Sequence, residues 1–307
     1  MDIALIRTFL AVSDTGSFVA ASARLFVTQS AVSLRVQRLE DQLGQTLFTR
    51  SKAGVALTPS GRAFAPYATS LVKLWEEARQ QVAVPRGYAQ SLTIGAQYSL
   101  WPRLGFRWMD ALQRARPTLA LRAEVGMPDR LTRFLIEGVV QATLTYMPQS
   151  RPGLTVAPVM DDELILTSSF PADGMDAVAP HYVFMDWGAE FTRAHATDLP
   201  GLADSGVNLS LGALGAHYIV NRHAAAYLPA RAAQPHLDAG RLHLVPGAPT
   251  FPYPIWAVFR DDLTPDIAEV ARDTLAAVAT DAEDAQGDIM HELERLTGHE
   301  VETLGDP

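Results

Sequence analysis

The chain contains no cysteine among its 307 residues. A disulfide framework, a thiolate metal site and a cysteine nucleophile are therefore excluded. It also lacks any run of about 18 uncharged apolar residues, the length that a bilayer-spanning helix needs, so no membrane partner is expected. The first residues do not show the basic segment and apolar run of a secretory signal. These absences favour a cytoplasmic protein.

The common motifs of enzymes and cofactor sites are absent as well. Gly212-Ala213-Leu214-Gly215 is not G-x-G-x-x-G, no P-loop occurs, and no serine lies in G-x-S-x-G. His217 and His223 are six residues apart and lack the glutamate of a metalloprotease helix. The pairs Asp161-Asp162 and Asp261-Asp262 have the character of loop acids. The sequence therefore predicts no enzyme, no cofactor and no metal site.

The charge is spread unevenly over a chain of ordinary globular composition. Hydrophobic residues make up 48% and charged residues 19%, so a packed core is expected. At this length the chain should hold two or three domains, because single cores usually stop growing at roughly 250–300 residues. Residues 1–90 carry ten basic and six acidic side chains, a net charge of +4, which leaves −13 for the remainder. A basic N-terminal segment followed by an acidic remainder is typical of a nucleic-acid-binding module joined to another domain.

The N-terminal sixty residues begin with three predicted helices. Apolar residues at helical spacing indicate the first over 3–13, and Ser17 is a good N-cap for a short second helix over 18–25. Thr28 caps a third helix from Gln29 to Leu43, which Gly44 closes. A helix, a short helix, a tight turn and a third helix that starts with small polar residues match the helix-turn-helix motif.

Two short apolar runs follow, and they flank the basic segment Arg50-Ser51-Lys52-Ala53-Gly54, which predicts a β-hairpin. The polar face of the third helix offers short or amide side chains suited to base edges, and basic residues suited to phosphates. A three-helix bundle with a solvated polar face would show a similar pattern, so the spacing alone leaves both interpretations open. The candidate DNA-binding residues are Gln29, Ser30, Ser33, Leu34, Arg35, Arg38, Arg50 and Lys52.

From Thr58-Pro59-Ser60-Gly61 a long helical pattern runs to about Val84, and a linker is predicted over residues 63–90. One side of it is apolar and has no nearby partner in the sequence, which favours packing against a second copy of the chain. The candidate dimerisation residues are Phe64, Tyr67, Leu71, Leu74, Trp75 and Ala78.

From Ser91 onward short apolar strands alternate with helices, which predicts a parallel sheet of β-α-β units. Two lobes are expected, 91–160 with 265–300 and 161–264, and a ligand would lie in the crevice at the carboxyl ends of the strands. Strands are predicted over 92–96, 119–125, 139–146, 164–167, 182–186, 207–211, 226–228 and 242–245, and a final helix from Pro265 to about Thr280.

Residues 1–62 contain an ordered series of short motifs. The series includes Phe9-Leu10-Ala11-Val12, Gly16-Ser17-Phe18, Ala20-Ala21, Thr28-Gln29-Ser30-Ala31-Val32-Ser33, Leu43-Gly44, Leu47-Phe48-Thr49-Arg50 and Leu57-Thr58-Pro59-Ser60-Gly61. It resembles the DNA-binding domain of LysR-type transcriptional regulators. The resemblance implies a winged helix-turn-helix, a linker helix and a two-lobed α/β effector domain similar to periplasmic binding proteins. It also implies a homodimer or dimer of dimers that binds double-stranded promoter DNA and a small-molecule effector.

The resemblance carries roles to particular residues. Residues that match Gln29, Ser30 and Ser33 meet DNA in the family, and basic residues of the wing that match Arg50 and Lys52 meet phosphate. The position of Leu34 is often basic or an amide in the family, so here a leucine would meet a thymine methyl or base reading at that step would be lost.

The resemblance also places the effector against the loop after the first strand of the effector domain. There Ser99 precedes a helix opened by Pro102, where backbone N–H groups and a hydroxyl suit an anion. Tyr146 and Trp187 would supply apolar walls, which suits a small organic acid with an apolar or aromatic body. The candidate effector-binding residues are Gln97, Tyr98, Ser99, Met127, Tyr146, Asp186 and Trp187.

Two alternatives remain. One is a small-molecule-binding protein whose N-terminal domain serves only for oligomerisation. The other is a periplasmic solute-binding protein, which fits the two lobes but neither the basic N-terminal segment nor the absence of a signal peptide.

Overall fold

The structure is a computed structural model that describes residues 2–51, 54–212, 214–297 and 303–304. The candidate DNA-binding residue Lys52 lies outside the described residues. The chain divides into two compact units, Met1–Ser91 with Arg133–Val140, and Leu92–Thr132 with Gln141–Pro307. Among the described helices, none combines the length and the apolar character that a bilayer crossing needs.

The first unit starts with three helices whose ends are fixed by local capping. Side-chain oxygens of Asp2, Ser17 and Thr28 accept hydrogen bonds from backbone N–H groups in the first turn of each helix. Gly44 closes the third helix in the left-handed conformation. The predicted bounds of the second and third helices are confirmed. The helices are α1 (Ile3–Thr15), α2 (Phe18–Leu25) and α3 (Gln29–Leu43).

A hairpin and a long helix complete this unit. The strands β1 (Phe48–Ser51) and β2 (Gly54–Leu57) pair antiparallel. Helix α4 (Pro59–Val82) follows directly, and Thr58 caps it. Gly61 lies so close to the strand that a Cβ at this position would sit 2.1 Å from the carbonyl oxygen of Leu47, so a side chain would force the hairpin and the helix apart.

Aromatic rings hold α4 against the three-helix core. Phe9 is fully buried, with ring centroids 5.2 Å from Phe48 and 5.1 Å from Phe64. Phe64 and Leu71 are half-buried against this core. Phe64 and Leu71 therefore help to dock α4 on this core, and their role in dimerisation stays a prediction.

A buried charge ties the far end of α4 to α1. The side chain of Glu76 is 4% exposed and pairs with both Arg7 of α1 and Arg79 of its own helix. The Arg79 Nε donates to Glu76 Oε2 over 2.8 Å. Burying a carboxylate is costly unless it is paired, so this cluster fixes the angle at which α4 leaves the domain.

The described part of the remaining chain contains a five-stranded sheet, a four-stranded sheet and a short two-stranded pair, with helices between their strands. The helices are α5 (Phe106–Ala115), α6 (Pro128–Ile136), α7 (Met175–Val178), α8 (Ala189–Asp198), α9 (Leu214–Val220), α10 (Ala230–Asp238) and α11 (Pro265–Thr297). The strands are β3 (Gln90–Ala96), β4 (Leu119–Val125), β5 (Ala142–Thr145), β6 (Leu154–Met160), β7 (Glu163–Ser168), β8 (Phe184–Met185), β9 (Asn208–Leu209), β10 (Ala225–Pro229), β11 (His243–Leu244), β12 (Phe251–Pro252) and β13 (Ile255–Arg260).

The predicted parallel sheet is found only in part, because the five-stranded sheet is mixed, the four-stranded sheet pairs antiparallel, and the short pair of β8 with β9 is parallel. The first sheet has the order β4-β3-β5-β13-β6, in which β3 and β5 run parallel but β13 runs antiparallel to both of its neighbours. In the second sheet β7 pairs antiparallel with β10, β11 and β12. The antiparallel pairs arise because the chain crosses from one sheet to the other twice, in opposite directions.

The two crossings lie side by side. Asp161-Asp162 joins β6 to β7, and Tyr253-Pro254 joins β12 to β13. The backbone N–H of Tyr253 donates to the carbonyl of Asp162 over 2.7 Å. Since β13 belongs to the first sheet, the predicted second lobe of 161–264 extends too far. The final helix also runs beyond the predicted end near Thr280.

We predict that Glu76→Ala speeds amide hydrogen exchange in α1 and α4 by about five- to a hundredfold. Removing the carboxylate leaves two arginines without their partner and a gap under α4, a loss of about 1–3 kcal/mol because both arginines can turn toward water. Exchange is followed in the full chain by mass spectrometry. Asp41→Ala, which removes an exposed acid from α3, should change exchange little. Equal protection in the Glu76→Ala variant and the parent would contradict the structural role of the ion pair.

Candidate DNA-reading surface and effector cavity

The start of α3 presents polar side chains to solvent, as predicted. Gln29, Ser30 and Arg38 are exposed, while Ser33 and Arg35 are half-buried. Leu34 is 48% exposed in the middle of this face. The opposite side of the helix buries Val32, Val36 and Leu39 in the core.

The turn before α3 adds an exposed aromatic ring that the sequence pattern did not single out. Phe26 has a φ of 54°, a left-handed backbone conformation that residues other than glycine rarely adopt. Its side chain is 95% exposed. The signal available in the sequence was a bulky residue in a three-residue connection between helices, where small residues are usual.

The hairpin carries its positive charge close to α2. Arg50 is exposed on β1, and its guanidinium carbon lies 4.3 Å from the ring centroid of Phe18. Cation–π contact of this kind holds the guanidinium beside the helix-turn-helix while leaving its N–H groups accessible.

The exposed side of α4 is apolar. Tyr67 is 68%, Leu74 62% and Trp75 51% exposed, and Ala78 is exposed one turn further on. Val82, which the sequence analysis did not include, is 89% exposed on the same helix. This set, Tyr67, Leu74, Trp75, Ala78 and Val82, is called the α4 stripe.

A cavity of about 250 Å³ lies within the second unit, where the two sheets meet. It brings together six of the seven predicted effector-binding residues, namely Gln97, Tyr98, Ser99, Met127, Asp186 and Trp187. Residues that the sequence analysis missed also line it, among them Asp129, Met147, Gly188, Ser210, Leu211 and Tyr253.

Tyr146 is the exception, because it does not line the cavity. Its ring stacks on Tyr253 with centroids 4.0 Å apart, and Tyr253 takes the place at the cavity floor. Tyr146 is buried behind it, with its hydroxyl 3.5 Å from Oδ2 of Asp162. Tyr253, in the crossing from β12 to β13, thus supplies the apolar wall that was predicted for Tyr146.

The loop after β3 contains Gln97 and Ser99, and part of its polar contacts hold the first sheet together. Gln97 Oε1 accepts hydrogen bonds from the hydroxyl of Thr145 and from the backbone N–H of Tyr146, both over 2.8 Å. The hydroxyl of Ser99 interacts with Tyr146. Gln97 therefore positions the end of β5, and Ser99 connects the cavity to the buried tyrosine behind it.

A buried acid lies behind this aromatic floor. Asp162 lies in the loop between β6 and β7, as predicted, but it is buried, with 1% exposed. Burial raises its pKa to about 7, although the guanidinium of Arg231, 3.7 Å away, acts to lower it. The packing of Tyr146 and Tyr253 around the crossing removes this carboxyl group from water.

The charged side chains on the described lining are both acidic. Asp186 Oδ1 accepts from the backbone N–H of Gly188 over 3.0 Å, and Oδ2 lies 3.4 Å from the hydroxyl of Ser210. Asp129 Oδ1 accepts from the amide of Gln149 over 2.6 Å. This lining does not favour the small organic acid that the sequence analysis predicted.

Trp187 and Gly188 form the wall contributed by the second sheet. The indole N–H of Trp187 donates to the carbonyl of Tyr227 over 2.8 Å, which fixes the ring. Gly188 has a φ of 116°, and a Cβ there would lie 2.6 Å from the sulfur of Met147. A glycine at this position therefore permits close contact across the cavity.

A helix-turn-helix with a basic wing, joined to a two-sheet domain with a cavity, defines a DNA-binding transcriptional regulator that senses a small molecule. The family described as "Bacterial regulatory helix-turn-helix protein, lysR family" matches residues 3–62, and the LysR substrate binding domain matches residues 85–171. The HTH-type transcriptional regulator HdfR of Yersinia enterocolitica is 36% identical over 201 residues, which is 62% of this chain and 68% of HdfR. HdfR of Yersinia pestis is 34% identical over the same shares.

The chain therefore belongs to the LysR family of transcriptional regulators. Solved structures share its fold at lower identity. Full-length LysG of Corynebacterium glutamicum with bound effector Arg has a TM-score of 0.53 at 21% identity and covers 92% of this chain and 99% of its own. Full-length CbnR in complex with its target DNA has a TM-score of 0.53 at 18% identity, with 91% and 100% covered.

We predict that Gly188→Ala lowers the stability of the second unit by about 1–3 kcal/mol, because a side chain at this φ is strained and meets Met147. Thermal unfolding of the full chain measures the loss. Gly201→Ala is the matched control, since a Cβ there meets nothing within 4 Å. If both variants melt with the parent, the close contact across the cavity is not part of the folded protein.

Proposed function

We propose that the chain acts as a homodimer whose two α3 helices read promoter DNA, and that an effector in the cavity changes how they are presented. The observation that carries the proposal is the exposed polar start of α3 beside a basic wing. A recognition helix enters the major groove with its N-terminal side chains on base edges, and this is the part of α3 that is free of the core. We further propose that this regulator has no catalytic activity and acts in the cytoplasm, where the promoter DNA is.

Base reading is assigned to the first turn of α3. The amide of Gln29 can bond an adenine edge through two hydrogen bonds, and the hydroxyl of Ser30 can reach a base or a phosphate. Leu34 offers an apolar surface for a thymine methyl group. Arg38 and Arg50 supply the charge that holds the helix in register on the phosphates. Ser33 and Arg35, half-buried, complete this surface, and Lys52 is proposed to contact phosphate with Arg50.

Dimerisation is assigned to the α4 stripe. Its residues lie on the side of α4 that faces away from the core of the first unit. An exposed apolar patch that runs along a helix marks a protein interface, and a second copy of the same helix offers a matching surface. The two DNA-reading domains are then held together in one dimer.

The effector is assigned to the cavity between the sheets. Met147 and Gly188 meet across it from the two sheets, and Tyr253 of the second crossing forms its floor. A ligand that prefers one arrangement of the sheets shifts the population toward that arrangement, and through the dimer it changes the spacing of the α3 helices.

We predict that Gln29→Ala relaxes preference at one base pair. It should cost roughly 1–3 kcal/mol on a selected duplex and little on random DNA, because an amide lost from a base edge affects only the cognate base. Fluorescence anisotropy with both duplexes at fixed salt measures this. Gln42→Ala, at the far end of the same helix, is the control. Equal losses on both duplexes would show that Gln29 only contacts the backbone.

We predict that the double variant Leu74→Glu with Trp75→Glu is a monomer. Two carboxylates from each copy would face one another across a two-fold interface, and neither could be desolvated there. Light scattering gives the mass of the full chain. Gln37→Glu with Gln42→Glu adds the same charge to α3 and should leave the dimer intact. A dimer mass for the α4 variant would place the interface elsewhere.

A further inference from the structure

We propose that the effector is an organic cation, an ammonium group carried on an apolar or aromatic body. This inference rests on the proposed function of the cavity as the effector site. It reverses the expectation of a small acid that followed from the resemblance and from the polar loop at Ser99.

The first argument is the charge of the lining. The charged side chains among the described lining residues are Asp129 and Asp186, and the described part of the lining includes no lysine, arginine or histidine. Both carboxylates are exposed to solvent at the cavity. An anionic effector would enter against two like charges, whereas a cation would be attracted by both.

The second argument is the aromatic surface beside these carboxylates. Trp187 and Tyr253 meet with ring centroids 5.7 Å apart and an interplanar angle of 67°, and both line the cavity with Tyr98. Rings at such an angle form two walls of a corner. Faces of tryptophan and tyrosine attract cations through their quadrupoles, most strongly when the site is partly shielded from water.

One of the two lining carboxylates also acts on the cavity floor. Burial is the main cause that raises the pKa of Tyr253, and the nearby carboxyl groups of Asp162 and Asp186 raise it further. Asp186 lines the cavity together with Tyr253, so its carboxylate attracts a positive charge placed beside the Tyr253 ring.

The remaining lining fits an apolar body. Met127 and Met147 are 60% and 42% exposed and lie on the cavity wall together with Leu211. Methionine side chains are flexible and polarisable and adapt to aromatic or aliphatic groups. A cavity of about 250 Å³ accommodates a compact molecule with one ring or a short branched chain.

The test uses three probes that share a body and differ in charge: phenethylamine, 2-phenylethanol and 3-phenylpropanoate. Isothermal titration and thermal unfolding of the full chain are measured at constant pH and ionic strength. We expect the amine to bind at least about tenfold more tightly than the acid, with the alcohol between them. An amine affinity that is absent, or no greater than that of the acid, would overturn the proposal.

Two variants assign the preference to the carboxylates. Asp186→Asn keeps the oxygen that accepts from Gly188 but removes the charge, and it should weaken the amine about three- to tenfold while leaving the alcohol unchanged. Asp129→Asn should act in the same direction. Asp110→Asn removes an exposed acid from α5, outside the lining, and is the matched control. An equal effect of the three substitutions would contradict the assignment.

A fourth variant separates the effector class from the effector site. Leu211→Trp places a large side chain at a lining position that is 54% exposed, so it should fill the cavity without disturbing the core. Loss of amine binding in this variant supports both site and class. If the acid is the tighter ligand and Leu211→Trp removes it, the class is wrong but the site stands. If the amine binds and Leu211→Trp leaves its affinity unchanged, the cavity is not the binding site and both proposals fail.

Discussion

The paired crossings between the two sheets are the constraint on which the effector domain depends. The hydrogen bond from the Tyr253 N–H to the Asp162 carbonyl joins the two strands at the point where both leave one sheet for the other. Each crossing is two residues long, which keeps the two sheets adjacent along this line. Because Tyr253 also lines the cavity, a ligand in the proposed site would contact the chain directly beside the crossings that join the sheets.

The DNA-binding unit is built around a comparable connection. Phe64 docks the start of α4 on the aromatic core, and Glu76 pairs with Arg7 near its other end. The linker helix is therefore rigidly joined to α1 rather than hinged to it. In the proposed dimer, a movement of the α4 stripe would also move α3, since α1 packs on α3 as well. A change of dimer geometry would reach the DNA through this connection.

What could be predicted from the sequence was governed by local chemistry. Ser17 and Thr28 cap their helices through contacts three residues long, so the bounds of α2 and α3 follow from the sequence alone. Local chemistry could not identify Tyr253 as part of the cavity floor. Tyr253 lies in the connection from β12 to β13, which does not follow the β-α-β pattern on which the sequence-based prediction relied. The burial of Asp162 could not be predicted either, because only long-range packing buries it. The domain bounds and the roles of individual site residues stay predictions.

In the proposed dimer, the two α3 helices read DNA together. Selection from a library of random duplexes with the full-length protein, at a salt concentration that suppresses non-specific binding, tests this arrangement. We expect enrichment of an inverted repeat, with half-sites separated by about one helical turn or a multiple of it and with Gln29 assigned to one base of each half. Recovery of duplexes without a shared repeat, at affinities equal to that of the starting library, would contradict it.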